Sequence, residues 1–516
     1  MVGVVILPEQ IFKKIKKNIL PQWKVCFISA LVMGLVAHLY KITNWLPNWD
    51  SLVFRYDAQN MLALGRWFLP VACAPSSFYD LPWLAGLLAI LYHGAGAVCI
   101  CKMFGVKKNT TAALIGALVA TFPTVTSVMM YNYVADGYAL AFLFSCIAAM
   151  CLTNKKPKYI AATILITLSA GIYQAYITVT IMLLICHLVV ETLKSKNKFK
   201  DMLIKTLKFF VTGAVGMVLY YAVFNALLKI TGTELLDYQG FGSAASFSAI
   251  DIFGAFYVVK NTTLDYFFDL SKGLNAFVVI NSVVILFTFI LYIADVVKNK
   301  LCISEILLLC FYVILLPIGA NVLAFLNSAI DYHNLMKMGY MVFYLFFILQ
   351  YEKSDFKNIK LNTIKQWGVI CLAFAVVFNN VVIANVSYHK LNMAYAKSYG
   401  VIVRIADRIE QTEGADKCDS ILVLGALDDS RDYSVNLPPD MTGTTDGFIL
   451  RADDEVVRQS VVCSAINDYC GKNYRFLAGQ EKAELLKEID EEKINIWPKK
   501  DSVIVIDNVI VIKLSK

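Results

Sequence analysis

The stretch YIAATILITLSAGIYQAYITVTIMLLICHLVVETL, residues 159–193, is too long for one membrane span and is closed at both ends by lysines. Lys155, Lys156 and Lys158 precede it, and KSKNKFK, residues 194–200, follows. Basic residues gather in the cytoplasmic loops of membrane proteins, so both flanks belong on one side. The run must then cross an even number of times, and two short helices turning near GIYQAY, residues 171–176, meet that demand. Further apolar runs stand at 24–42, 81–101, 110–128, 137–152, 206–228, 275–297, 302–319, 335–351 and 367–386. The chain is 58% hydrophobic and 17% charged, with mean hydropathy +0.61, which a bilayer accommodates and a soluble core does not.

The expected fold class is therefore mainly α: a polytopic transmembrane helical bundle of about eleven crossings, N-terminus inside and C-terminus outside. Residues 1–23 form a cytoplasmic N-terminal segment with Lys13, Lys14, Lys16 and Lys17, and the following run lacks a small-residue cleavage site, so it reads as a retained first span. Residues 24–386 form the membrane domain, with long outer segments at 43–80, 230–274 and 320–334. Residues 1–386 hold 30 Lys/Arg against 17 Asp/Glu, and residues 387–516 hold 17 against 22. The basic excess thus belongs to the membrane part and speaks for topology, with no call for a nucleic-acid partner. Most of the thirteen cysteines lie in apolar runs as small core hydrophobes, and no metal-ligand spacing appears, so neither a metal nor a cofactor is expected.

From about residue 387 the composition changes. SYHKLNMAYAKSYGVIVRIADRIEQTEG continues as a helix from the last span to Gly414. A β-like run SILVLGAL follows, then helices around 455–470 and 480–490, and a hairpin SVIVIDNVIVIKL turning at Asp507-Asn508. This makes residues 387–516 a small α/β domain outside the membrane. Cys463 and Cys470, seven residues apart on one helix, are expected to stay unbridged, and GALDD reads as a strand-end turn, since it lacks nucleotide-loop spacing.

Arg55, Arg66 and Lys337 defy the charge rule by lying on the outer side, among other ionisable groups. NWDSLVFRYDAQNMLALGRW, residues 48–67, concentrates Asp50, Asp57, Arg55 and Arg66, and DAQNMLALGRWFL within and beyond it reads as an amphipathic helix on the interface. DYHNLMKMGY adds Asp331, His333 and Lys337. Charges near hydrocarbon are costly, so they pair, line a wet cavity or do chemistry. A carboxylate can take a proton from an attacking sugar hydroxyl, and arginine can hold a phosphate and neutralise a leaving phosphate's developing charge. YNYVADGY contributes Asn132 and Asp136 among tyrosines, and GIYQAY contributes Tyr173, Gln174 and Tyr176. Aromatic faces with amides and carboxylates suit a pyranose. The bland readings are Asp–Arg pairs pinning a loop, tyrosines as belt anchors and Asp136 as a helix cap.

These motifs, NWDSL with LGRWF, YDLPWLAGLL at 79–88, ADGYALAFL at 135–143 and GIYQAYI at 171–177, resemble the bacterial type II Gtr glucosyltransferases that modify O-antigen and related cell-surface glycans. The likeness covers most of residues 20–350. It implies a GT-C-like membrane glycosyltransferase of the bacterial cytoplasmic membrane, multi-pass, with its active site and C-terminal domain extracytoplasmic. Its implied partners are a polyprenyl-phosphate-linked sugar donor, a cell-surface glycan acceptor and the bilayer, with no required metal. The family's first-loop acid falls on Asp50, with Asp57 second, and its GRW arginine on Arg66. Asp50 is then expected to activate the acceptor hydroxyl. Arg66, Arg55, Lys337 and His333 are expected to meet the donor phosphate, and Asp136, Asn132, Tyr173, Gln174 and Tyr176 to shape the sugar or acceptor site. The rival classes are a lipid-linked glycan transporter or flippase, which favours internal repeats and midplane charges, and a non-catalytic scaffold.

Overall fold

The computed structural model describes residues 9, 19–54, 61–77, 79–194, 199–236, 251–271, 273–353, 358–427, 441, 448, 450 and 455–515. Among these, nine helices are long and apolar enough to cross a bilayer: Pro21–Thr43, Pro82–Phe104, Asn109–Met130, Asn132–Thr153, Gln174–Thr192, Phe199–Thr231, Ala276–Asn299, Ile303–Ala320 and Ile359–Glu410. Two shorter apolar helices are Tyr159–Ile172 and Met338–Leu349. The run at 159–193 is thus two helices, joined by the turn Gln174–Tyr176.

Burial separates the bundle's centre from its periphery. The most apolar window of Asn109–Met130 is 89% buried within the protein, and that of Phe199–Thr231 only 22%, which leaves the latter's apolar face for lipid. Small residues draw the central helices together. Gly116 lies so close to the Cys26 carbonyl that no Cβ fits between them, and Ala30, Gly34, Ala112 and Ala120 occupy the same contact. The Asn109–Met130 span is interrupted at Phe122, whose extended backbone (φ −58°, ψ 140°) is what a residue before proline adopts.

Two expected elements come out differently. The 335–351 span is instead two 3₁₀ turns, Asn334–Met336 and Met338–Tyr340, followed by a nine-residue helix, Met341–Leu349. Gly339 packs directly on Thr178, which fixes the irregular entry. The interfacial helix expected from DAQNMLALGRWFL is also absent from its described part. Leu62–Leu64 form one 3₁₀ turn that ends at Gly65, in the left-handed region at φ 75°, and a separate helix starts at Leu69. The carbonyls of Ala63, Leu64 and Gly65 accept from Leu236, Gln174 and Tyr220, partners that a continuing helix would exclude.

The final span continues unbroken as Ile359–Glu410, 52 residues, or about 78 Å at ~1.5 Å per residue. That is over twice the ~30 Å hydrocarbon thickness, so the helix carries the C-terminal domain well clear of the bilayer centre. Gly414 at φ 81° closes the following turn. The domain has a four-stranded sheet in the order β2-β1-β4-β3, with β1 Ser420–Leu424, β2 Arg475–Phe476, β3 Val503–Ile506 and β4 Val509–Lys513. β1 is parallel to both neighbours, and β3–β4 is an antiparallel hairpin. Its turn places Asp507 and Asn508 at φ 46° and 60°, as a two-residue hairpin needs. Gly425, at φ 71°, ends β1 against Ser515, so GALDD does begin as a strand-end turn. Cys463 and Cys470 are both free thiols on the helix Glu455–Cys470.

Candidate functional site

The site is assembled from three inter-helix segments that meet at one end of the bundle. LGRWF docks on GIYQAY: the Phe68 amide donates to the Gly171 carbonyl at 2.8 Å, and Trp67 packs on Gly171, where a side chain would collide with its indole. The Gln174 amide donates to the Leu64 carbonyl at 2.9 Å and to the Tyr220 hydroxyl at 2.8 Å, and that hydroxyl donates to the Gly65 carbonyl at 3.1 Å. These bonds fix the turn from which Arg66 projects. Gln174 therefore positions Arg66, and its amide nitrogen is committed to protein.

Arg66 lies over the Tyr173 ring at 4.8 Å and donates to the Met61 thioether at 3.2 Å. Tyr173 in turn stacks on Tyr138 with centroids 4.6 Å apart and planes within 9°. The ring attracts the guanidinium electrostatically and leaves its charge in place. With Arg66 above it and Tyr138 stacked on it, Tyr173 is buried and has little face left for a pyranose. Tyr176 is buried beside the same stack, and its hydroxyl has no hydrogen-bond partner.

The 331–337 segment approaches from the other side. His333 lies within electrostatic range of Arg66, Lys337 and Asp331. Burial pushes its pKa from 6.5 down to about 4, Arg66 and Lys337 push the same way, and Asp331 opposes them. The imidazole is therefore neutral at physiological pH, with a buried Nδ1 that has no protein partner. Lys337 holds its ammonium 6.0 Å over the Tyr266 ring, within range of Asp331 and Asp265.

Asp50 sits in the first turn of the short helix Trp49–Val53, capped by Asn48, whose side chain accepts from the Ser51 amide at 3.0 Å. Asp50 and Arg66 both lie within electrostatic range of the Tyr133 hydroxyl, and Phe54 stacks on Tyr133 at 5.5 Å. The acid and the arginine thus flank one buried tyrosine. Asp57 and Arg55 lie outside the described residues.

Asn132 and Asp136 are fully sequestered. The Asn132 amide donates to Asp80 at 2.6 Å, and Asp80 also accepts from the Trp45 indole at 3.0 Å, with Lys41 nearby. Asp80 thus ties the loop before its span to two helix ends. Sequence reading passed over it although it stands in the YDLPWLAGLL motif; an acid immediately before an apolar span was the available signal. Asp136 is buried against Cys73 and Ser76, with neither carboxylate oxygen in a well-formed hydrogen bond. Among the described residues, no group of three or more His, Cys, Asp or Glu could hold a metal.

A helical bundle with nine bilayer-length spans and charged groups gathered at one end defines a multi-pass membrane protein. Residues 39–350, more than half of the chain, match the family model of the glucosyl transferase GtrII. The chain belongs to this glucosyltransferase family, and the matched region contains Asp50, Arg66, Tyr173, His333 and Lys337. No curated protein and no solved structure matches it.

Proposed function

We propose that this protein transfers a hexose, glucose by family, from a polyprenyl-phosphate donor to a cell-surface glycan at the outer face of the bacterial cytoplasmic membrane. The observation that carries the reading is the convergence of Arg66, His333 and Lys337, from segments far apart in sequence, at the end of the bundle where Asp50 lies. The topology has eleven crossings: the nine long helices together with Tyr159–Ile172 and Met338–Leu349. The lysine-rich loops support a cytoplasmic N-terminus and an extracytoplasmic C-terminal domain, in a GT-C arrangement.

Asp50 accepts the proton of an acceptor hydroxyl as its oxygen attacks the anomeric carbon. The bond from that carbon to the phosphate oxygen breaks, and its electron pair leaves with the polyprenyl phosphate. Arg66 and Lys337 stabilise the charge that develops there, and neutral His333 donates a hydrogen bond. A single displacement of this kind inverts the anomeric configuration. Asp57 is the second choice as base, and Arg55 a further cation for the phosphate. Tyr176 shapes the sugar or acceptor site, Asp136 supports it from behind against Cys73 and Ser76, and Asn132, Tyr173 and Gln174 set its walls by holding Asp80 and Arg66.

The test is transfer from radiolabelled polyprenyl-phosphate glucose to acceptor glycan by the purified full-length protein. Asp50→Asn is expected to abolish the product. Full transfer by Asp50→Asn would remove Asp50 as base, and substrate movement without a new glycosidic bond would favour the transporter reading.

A further inference from the structure

The helix that carries Asp50 is not held by the bundle alone. Leu52, buried, belongs to the hydrophobic core of the C-terminal domain, with Ile402, Ile405, Val461 and Ile466. The Trp49 indole donates to the Phe448 carbonyl at 3.4 Å, and Trp45 meets Tyr395 and Tyr469 edge-on, each at 6.2 Å. The exchange is mutual. Met441 from the domain is buried in the core of the bundle, where the Ser127 hydroxyl points at its thioether from 3.8 Å.

The sheet shows which half of the domain does this. Alternation along the strands sends Ile421, Val423, Ile510 and Ile512 to the face that shares a core with Leu52. Leu422, Leu424, Val509 and Val511 face the other way, into a separate core with Leu485 and Ile489. A five-residue helix cannot hold its own orientation; it takes the orientation of what it packs against. Asp50 and Leu52 are two positions apart, about 200° around a helix. Burying Leu52 in the domain therefore turns Asp50 the opposite way, towards Tyr133 and Arg66.

We propose that the C-terminal domain positions the base, with Leu52 and Trp49 as positioning residues that act through Asp50. The proposal rests on the reading of Asp50 as base. It makes residues beyond the family-matched 39–350 a working part of the catalytic site.

The experiment measures kcat and donor KM for purified full-length protein, together with hydrogen exchange across residues 48–54. Leu52→Ala is expected to lower kcat by at least about tenfold, since a displaced reacting group costs up to about 100-fold. Donor KM should stay unchanged, Leu52→Met should restore kcat, and amides 48–54 should exchange faster. Leu485→Ala opens a cavity in the same domain behind the sheet; it should lower thermal stability and leave both kcat and the 48–54 amides as they are. If Leu52→Ala fails to fold, Trp49→Phe, which deletes the indole donor and trims the ring, should give a smaller fall in kcat with the same exchange pattern. Wild-type kcat in Leu52→Ala or Trp49→Phe, or unchanged protection of 48–54 in them, overturns the proposal. Asp50→Asn measured alongside separates the two ideas: full transfer there fells the base assignment, while the exchange data still decide whether the domain holds the helix.

Discussion

The two ends of the bundle differ in how closely a lysine meets its acid. At the end bearing Lys107, Lys108 and Lys353, Lys353 is closed on a carboxylate, while Lys108 lies over the Tyr351 ring at 4.8 Å. Asp295 accepts from Lys353 at 2.6 Å and from Gln350 at 2.9 Å, and Glu352 caps the amides of Lys107 and Lys108 at 2.8 and 3.2 Å. At the end bearing Asp50, Arg66 lies on Tyr173, Lys337 over Tyr266, and a neutral His333 lies within electrostatic range of both. A lysine in a short ion pair must lose that partner before it can meet a ligand, whereas Lys337, over a ring with Asp331 and Asp265 in electrostatic range, can turn to an incoming phosphate. The first arrangement builds structure, and the second suits a site.

The sharpest way to break this contrast is to remove a cation from each end. Arg66→Ala should cut kcat by roughly 100- to 1,000-fold, the usual cost of losing a donor that stabilises developing charge. A fall no greater than that of an exposed-lysine control would deprive the Arg66 end of its special standing. Next in size, Asp80→Ala leaves the Trp45 and Asn132 donors unmatched, at about 1–3 kcal/mol for each. Both kcat and the thermal midpoint should drop, because the loop that carries Asp80 loses its tie to Asn132; a drop in the midpoint alone would separate this clamp from the chemistry. Lys353→Met, at the closed end, should lower the thermal midpoint and leave kcat within about twofold, since a broken ion pair acts on stability. A large kcat defect there would erase the distinction between the ends. The smallest effect is an absence. With His333 held at about 4, it is neutral above that value, so kcat/KM, which reports the free enzyme, should show no inflection near 6.5 from this residue. The pH profiles of His333→Gln and wild type should therefore coincide around 6.5, and an inflection lost in the variant would mean that His333 is charged in the free protein.

Much of the fold was legible because its signals are local. The 159–193 run gives two helices with a turn at 174–176, the last span runs on towards Gly414, and Asp507-Asn508 turns the final hairpin. Each follows from hydropathy, a left-handed glycine or a two-residue turn. The failures are where distant partners overrule local preference. The LGRWF segment loses its expected helix because Gln174, Tyr220 and Leu236 take its carbonyls, and the 335–351 span breaks into turns where Gly339 meets Thr178. The site follows the same division. Asp50, Arg66, His333 and Lys337 stood out as charges where charge is costly, but Asp80 did not, because its importance lies in partners 35 residues before it and 52 after.

By itself the sequence determined that this chain enters a membrane many times, that one end collects acids and cations among tyrosines, and that a polar α/β segment follows the last span. Hydrophobic length and charge placement are properties of contiguous residues and need no fold to be read. Only the tertiary structure decided that Gln174 and Tyr173 hold Arg66, and that His333 is neutral beside it. It also decided that Leu52 lies in a core formed by residues some 350 to 460 positions later. Those facts depend on which surfaces pack together, and packing at that sequence separation leaves no periodicity for a sequence to display.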